Sequence, residues 1–101
     1  MDTNTLITDI KARFAHNSAK AYLKEKYEAK LIVADQGGLW RADLETLTAL
    51  NIYRKPEMIL IDTFGNPVKV DKEKLRITLG DVYDKVMQEW HQEWQELESK
   101  R

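Results

Sequence analysis

Apolar positions recur along this chain with two different periods, and the changes of period mark out its elements. Between residues 3 and 15, Leu6, Ile7, Ile10 and Phe14 return at helical spacing, with Asp2 or Thr3 available to cap the start. His16-Asn17-Ser18 interrupts that pattern. If one helix ran on, Leu23 would point away from the apolar face. A second short helix is therefore predicted from Ser18 to about Glu28, with Ala19, Tyr22, Leu23 and Tyr27 inward. Leu31, Ile32 and Val33 are strand formers, and Leu39 to Ala42 reads as their returning partner. Gly37-Gly38 lies between them to supply the positive φ of a tight hairpin. Asp43 is placed as an N-cap ahead of Leu44, Leu47 and Leu50, a short helix whose exit closes at Pro56. Met58 to Asp62 is the strongest strand pattern in the chain. The turn TFGN follows it, and Pro67 to Val70 forms the partner strand, with Pro67 at its start or edge because proline cannot donate to a ladder.

Asp71 caps the last and longest predicted helix, about residues 72–98, roughly 40 Å at 1.5 Å per residue. The order α-α-β-β-α-β-β-α gives an α+β fold class: a small antiparallel sheet from two β-hairpins, packed with N-terminal helices and one long C-terminal helix. Residues 1–101 read as a single domain. A domain of this size has a radius of gyration of about 13 Å, so the distal end of the last helix is expected to project.

The stripe on that helix sharpens the expectation. At 100° per residue, Leu75, Leu79, Val82, Tyr83, Val86, Met87, Trp90 and Trp94 fall within a band about 140° wide. Beyond Met87 the band narrows to Trp90, Trp94 and Leu97, and Glu93 falls in line with Leu75 and Val86. A carboxylate on that face suggests that the distal helix has left the domain's own core. Aromatic residues on a projecting helix are what interfaces use as anchors. Tyr83, Met87, Trp90, Trp94 and Leu97 are accordingly the candidate partner-binding residues, for a protein partner or a second copy. The competing reading folds Trp90 and Trp94 back onto the first helix.

Composition narrows the function classes. Hydrophobic residues make up 43% and charged residues 33% of the chain, the balance of a folded globular domain. Sixteen basic residues face seventeen acidic ones for a net charge of −1, which argues for neither nucleic acid nor an anionic membrane. There are no cysteines, which fits a reducing cytoplasm. The opening MDTNTLITDIKARF lacks the basic start and apolar run of a secretory signal, and no apolar stretch approaches the roughly 20 residues that span a bilayer.

Catalytic chemistry finds little support. His16 and His91 each lack a second ligand at metal spacing, so no metal and no cofactor are expected. Ser18 and Ser99 lack a nucleophile elbow, and Gly37-Gly38 is no phosphate loop. Asp35, Asp62 and Asp71 flank turns, where aspartate belongs for local hydrogen-bonding reasons; their convergence on Mg²⁺ is the minor alternative. Residues 11–30 carry six positive and two negative charges with Tyr22 and Tyr27 interleaved, the one feature resembling a nucleic-acid footprint. The favoured account is that Lys20, Lys24 and Lys26 line the wet face of an amphipathic helix, because no Arg cluster or glycine-rich RNA motif accompanies them.

The stretch DTFGNPVKVDKEKL followed by VYDKVMQEWHQEWQELE resembles small domains of tailed-bacteriophage tail and tail-fibre-associated proteins, and NSAKAYLKEKYEAKLIVADQGGLWRAD resembles a small phage accessory protein. The likeness covers about half the chain. It implies a virion or assembly role, in the host cytoplasm or the virion, and carries over no catalytic residues. The expected function is a non-enzymatic protein–protein interaction component of a phage tail or neck, without a small-molecule substrate. The alternatives are a small adaptor or inhibitor of a host enzyme and, third, a nucleic-acid-binding module using residues 11–30.

Overall fold

The computed structural model describes residues 3–100, with the backbone alone for Asn4. Seven elements follow one another: α1 (Thr3–Lys30), β1 (Ile32–Asp35), β2 (Gly38–Arg41), α2 (Leu44–Ile52), β3 (Glu57–Ile61), β4 (Pro67–Asp71) and α3 (Lys72–Ser99). The fold is α+β. β1 pairs with β2 and β3 with β4, both antiparallel, as two separate two-stranded sheets. The molecule is elongated, 65 × 24 × 20 Å.

Helix α1 corrects the expectation of two N-terminal helices. It runs unbroken through His16-Asn17-Ser18 for 28 residues, about 42 Å. No glycine or proline lies between residues 3 and 30. The three polar residues carry only a modest propensity cost, which the alanines and lysines around them offset. The cap expected from Asp2 lies outside the described residues. The two apolar faces that suggested a break are both present, and they serve different surfaces.

Both aspartate caps sit where the sequence puts them. The Asp43 carboxylate accepts the Thr46 amide at 2.9 Å ahead of α2, and that of Asp71 accepts the Lys74 amide at 3.1 Å ahead of α3. In β3 and β4 strict alternation sends Met58, Leu60, Val68 and Val70 inward, and leaves Ile59, Ile61 and Lys69 outward. The core runs along one side of α3: Leu75, Leu79 and Val86 meet Leu23, Tyr27 and Leu31 of the first helix and its exit, Trp40 and Ala42 of the first hairpin, Leu50 of α2, and Met58 and Val70 of the second hairpin.

The first hairpin turns one residue earlier than the glycine pair implies. Gln36 (φ +48°) and Gly37 (φ +80°) hold the positive values, the combination of a two-residue primed turn. Gly38 is the first residue of β2, opposite Asp35. This register sets Trp40 against Val33, and the buried Trp40 ring lies directly over Gly38. A Cβ built there would meet ring atoms at 2.4 and 2.7 Å. The ring nitrogen donates to the Asp35 carbonyl at 2.8 Å.

Polar links tie the hairpins together, among them a bond from the Thr63 amide to the Leu39 carbonyl at 2.9 Å. The Gln36 amide side chain accepts from the Asp71 amide at 2.7 Å and donates to the Asp71 carbonyl at 3.2 Å. Asp62, buried, accepts the amides of Leu39, Phe64 and Asn66. Those backbone donors, Asn66 foremost, hold its carboxyl below the usual carboxylate range.

Candidate interaction surface

The C-terminal half of α3 does not project, contrary to the expectation drawn from its length. It packs antiparallel on the C-terminal half of α1. Lys30 faces Glu89 at 3.6 Å, Lys26 faces Glu93 at 2.7 Å, and Lys20 faces Glu98 at 2.9 Å, with His16 at 3.3 Å from the same Glu98 oxygen. Trp90 stacks on Tyr27 with ring centroids 5.9 Å apart and 11° between planes. The ammonium groups of Lys26 and Lys30 lie 5.1 and 5.0 Å from the centre of the same tyrosine ring.

Glu93 carries the physical reason for the correction. A carboxylate among apolar positions suggested a helix outside the core, yet the Lys26 ammonium and the Tyr27 hydroxyl both donate to one of its oxygens. Those bonds, Lys26 first, hold the Glu93 carboxyl below its ordinary range, and Glu93 in turn raises both Lys26 and Tyr27. Glu98 is lowered in the same way, by Lys20 first and then by His16.

The five residues singled out on α3 therefore divide. Tyr83, Trp90 and Leu97 are part-buried against the chain's own core, and Met87 is half-buried. Trp94 stays 41% exposed, its ring stacked on His91 at 6.0 Å. The aromatic pair is thus split between an intramolecular contact and an open ring.

The element that projects is the N-terminal half of α1. α3 ends beside His16, and every residue from Thr5 to Ala15 is exposed. Those thirteen residues from Thr3 extend about 20 Å past the helix pair. Leu6, Ile7, Ile10 and Phe14 are 51, 45, 57 and 73% exposed. At 100° per residue their stripe is centred roughly 150° from the stripe of His16, Ala19, Leu23 and Tyr27 that meets α3. The exposed stripe faces away from α3, and so cannot be covered by a simple extension of that helix. A second apolar surface lies on the outer face of the β3–β4 hairpin, where Ile59, Ile61 and Phe64 are exposed.

The polar candidates have local roles. Asp62 organises the β3–β4 turn and Asp71 caps α3, so they do not converge. Among the described residues no group of three or more His, Asp or Glu is placed to hold a metal ion, and no helix is long and apolar enough to cross a membrane. Of the six positive charges between residues 11 and 30, Lys20, Lys24, Lys26 and Lys30 face glutamates. The other two, Lys11 and Arg13, lie on the projecting segment.

The apolar stripe of residues 6–14 is visible in the sequence, but its spacing alone does not say what it faces. The signal that could have assigned it outward was its angular offset from Leu23, which was resolved instead as a helix break. The chain matches no protein-family model, no curated protein and no solved structure.

Proposed function

We propose that this chain is a non-enzymatic protein-interaction component whose working surface is the projecting half of α1. One observation carries the reading: four large apolar side chains, Leu6, Ile7, Ile10 and Phe14, stand exposed along one face of a helix that has left its own domain. Such a stripe is costly to leave wet, and contiguous apolar patches on small proteins are where partners bind. The likeness of the C-terminal half to tailed-phage tail proteins supports a setting in virion structure or assembly. A nucleic-acid role is disfavoured because four of the six basic side chains on α1 face glutamates, three of them on α3.

The test is site-specific photo-crosslinking of the full chain in cells that make it with its native partners. A photoreactive residue at Phe14 is expected to give a discrete crosslinked species, of the chain with itself or with another protein, while one at Arg54 is expected to give none. Equal yields at both positions, or none at Phe14, would overturn the reading.

A further inference from the structure

We infer that the occupant of the exposed α1 stripe is a second copy of the same chain, packed antiparallel about a two-fold axis between Ile10 and Lys11. This rests on the proposed function and names its partner. Three observations converge on it.

The first is area. The exposures of Leu6, Ile7, Ile10 and Phe14 amount to on the order of 450 Å² of accessible surface per chain. Two such faces bury roughly 900 Å², and the flanking atoms bring the total to the ~1,000–1,200 Å² at which specific interfaces begin. Self-pairing is therefore sufficient to cover the stripe, and gives a weak, reversible dimer.

The second is charge. Around the helix, Lys11 lies about 85° to one side of the stripe, and Arg13 and Asp9 lie about 75° and 115° to the other. Parallel packing sets opposite flanks together and brings Lys11 beside both Arg13 and Asp9 of the other copy, one repulsive and one attractive contact that offset each other. Antiparallel packing sets like flanks together and brings Asp9 beside Arg13 of the other copy, twice by symmetry, against a single Lys11–Lys11 contact across the axis, so attraction predominates. It also opposes the two helix dipoles.

The third is space. With the axis between Ile10 and Lys11, Ile7 of one chain meets Phe14 of the other, and the second N-terminus runs alongside Asn17 and Ser18. That side of α1 is turned away from α3, and both residues there are exposed. Antiparallel pairing therefore proceeds without displacing the Glu98–Lys20 contact.

The chain lacks cysteine, which allows a direct test on the full-length protein. Sedimentation equilibrium should show the mass rising from 11.8 kDa towards twice that value across the micromolar range. Ile10→Asp should weaken association at least ten-fold and leave the melting temperature unchanged. Ile7→Cys and Phe14→Cys variants, oxidised separately, should give little disulfide dimer, and mixed they should crosslink to each other. Efficient homodimer crosslinking of each variant alone would mean parallel packing and overturn the inference. A strictly monomeric parent at several hundred micromolar would overturn it too. If that monomer still gives a Phe14-specific photo-crosslink to another protein, the second-copy assignment fails while the proposed function stands; loss of both signals fails both.

Discussion

Replacing Gly38 by alanine is expected to be among the most destabilising single-methyl additions in the chain, and the cost comes from Trp40. Gly38 has no positive φ, so the backbone itself accepts alanine. The new Cβ would stand 2.4 Å from one indole atom and 2.7 Å from another, inside contact distance. The ring is 2% exposed and enclosed by the core, so it has nowhere to move without repacking. Overpacking of this kind costs about 1–3 kcal/mol. If the ring tilts, its N–H leaves the Asp35 carbonyl, which adds about 1 kcal/mol or more for an unmet buried donor. The sum, about 2–4 kcal/mol, does not exceed the cost of removing a buried tryptophan altogether, about 3–5 kcal/mol. For a domain near 100 residues that is a fall in Tm of roughly 10–20 °C. Thermal and urea unfolding followed by circular dichroism measures it. The neighbouring glycine is the control. Gly37 sits at φ +80° with nothing within 4 Å of a Cβ, so Gly37→Asn, which tolerates that backbone region, should cost far less than Gly38→Asn. A double-mutant cycle isolates the cause. With Trp40→Ala in place, Gly38→Ala should cost almost nothing further. An undiminished cost in that background would refute the steric reasoning.

Three other outcomes are expected. Asp71→Ala should lower stability by about 1 kcal/mol through loss of the α3 cap, and an unchanged denaturation midpoint would show that the Lys74 amide finds another acceptor. Trp90→Ala should cost about 2–3 kcal/mol, below the figure for a fully buried tryptophan because Trp90 is only part-buried, while Trp94→Ala should stay within about 1 kcal/mol; the reverse ranking in urea titrations would contradict the helix pairing. Glu93, Glu98 and Asp62 have folded pKa values lowered from 4.5, 4.5 and 3.8. Their contribution is therefore present above the unfolded values and lost as pH falls through the folded ones. Lys26 and Tyr27 are raised from 10.5 and 10.0, so their share is present below those values and fades as pH rises past the folded ones. Denaturation midpoints should be level near neutrality and fall below about pH 4, with Glu93→Gln flattening the acid limb. An acid limb identical in that variant would separate Glu93 from the helix clamp.

Local chemistry was legible in the sequence wherever a residue acts on its near neighbours. Asp43 and Asp71 announce their helices because a cap needs only the amide three residues on. The β3–β4 pairing follows from alternation on both sides of a TFGN turn. The glycine pair announced a hairpin but not its register. That is fixed by where Trp40 has to be buried, a property of the finished core. The helix α3 was legible, but what covers its distal half was not, for a related reason. Periodicity finds the face of a helix, not what covers it, and Glu93 looked misplaced because Lys26 and Tyr27 are 66–67 residues away along the chain. A cue was present: Lys20, Lys26 and Lys30 run opposite to Glu98, Glu93 and Glu89, so that each pair sums to nearly the same number, as antiparallel helices require. The α1 stripe was hardest to place, since an apolar face in sequence looks the same whether it meets a core or a partner.

A continuous α1 makes the direction of its outward face a matter of counting residues. Contacts with α3 begin at His16 and the exposed stripe ends at Phe14, so Ala15 separates two surfaces on one rigid rod. One residue inserted there leaves the core untouched but turns the outer stripe by about 100° and advances it about 1.5 Å. Seven inserted residues lengthen the arm by about 10 Å and turn it by only about 20°. The reach and the aim of the arm can thus change separately, without altering one core contact. Short insertions at this point would redirect whatever docks on the arm, whereas insertions of two full turns would only move it outward.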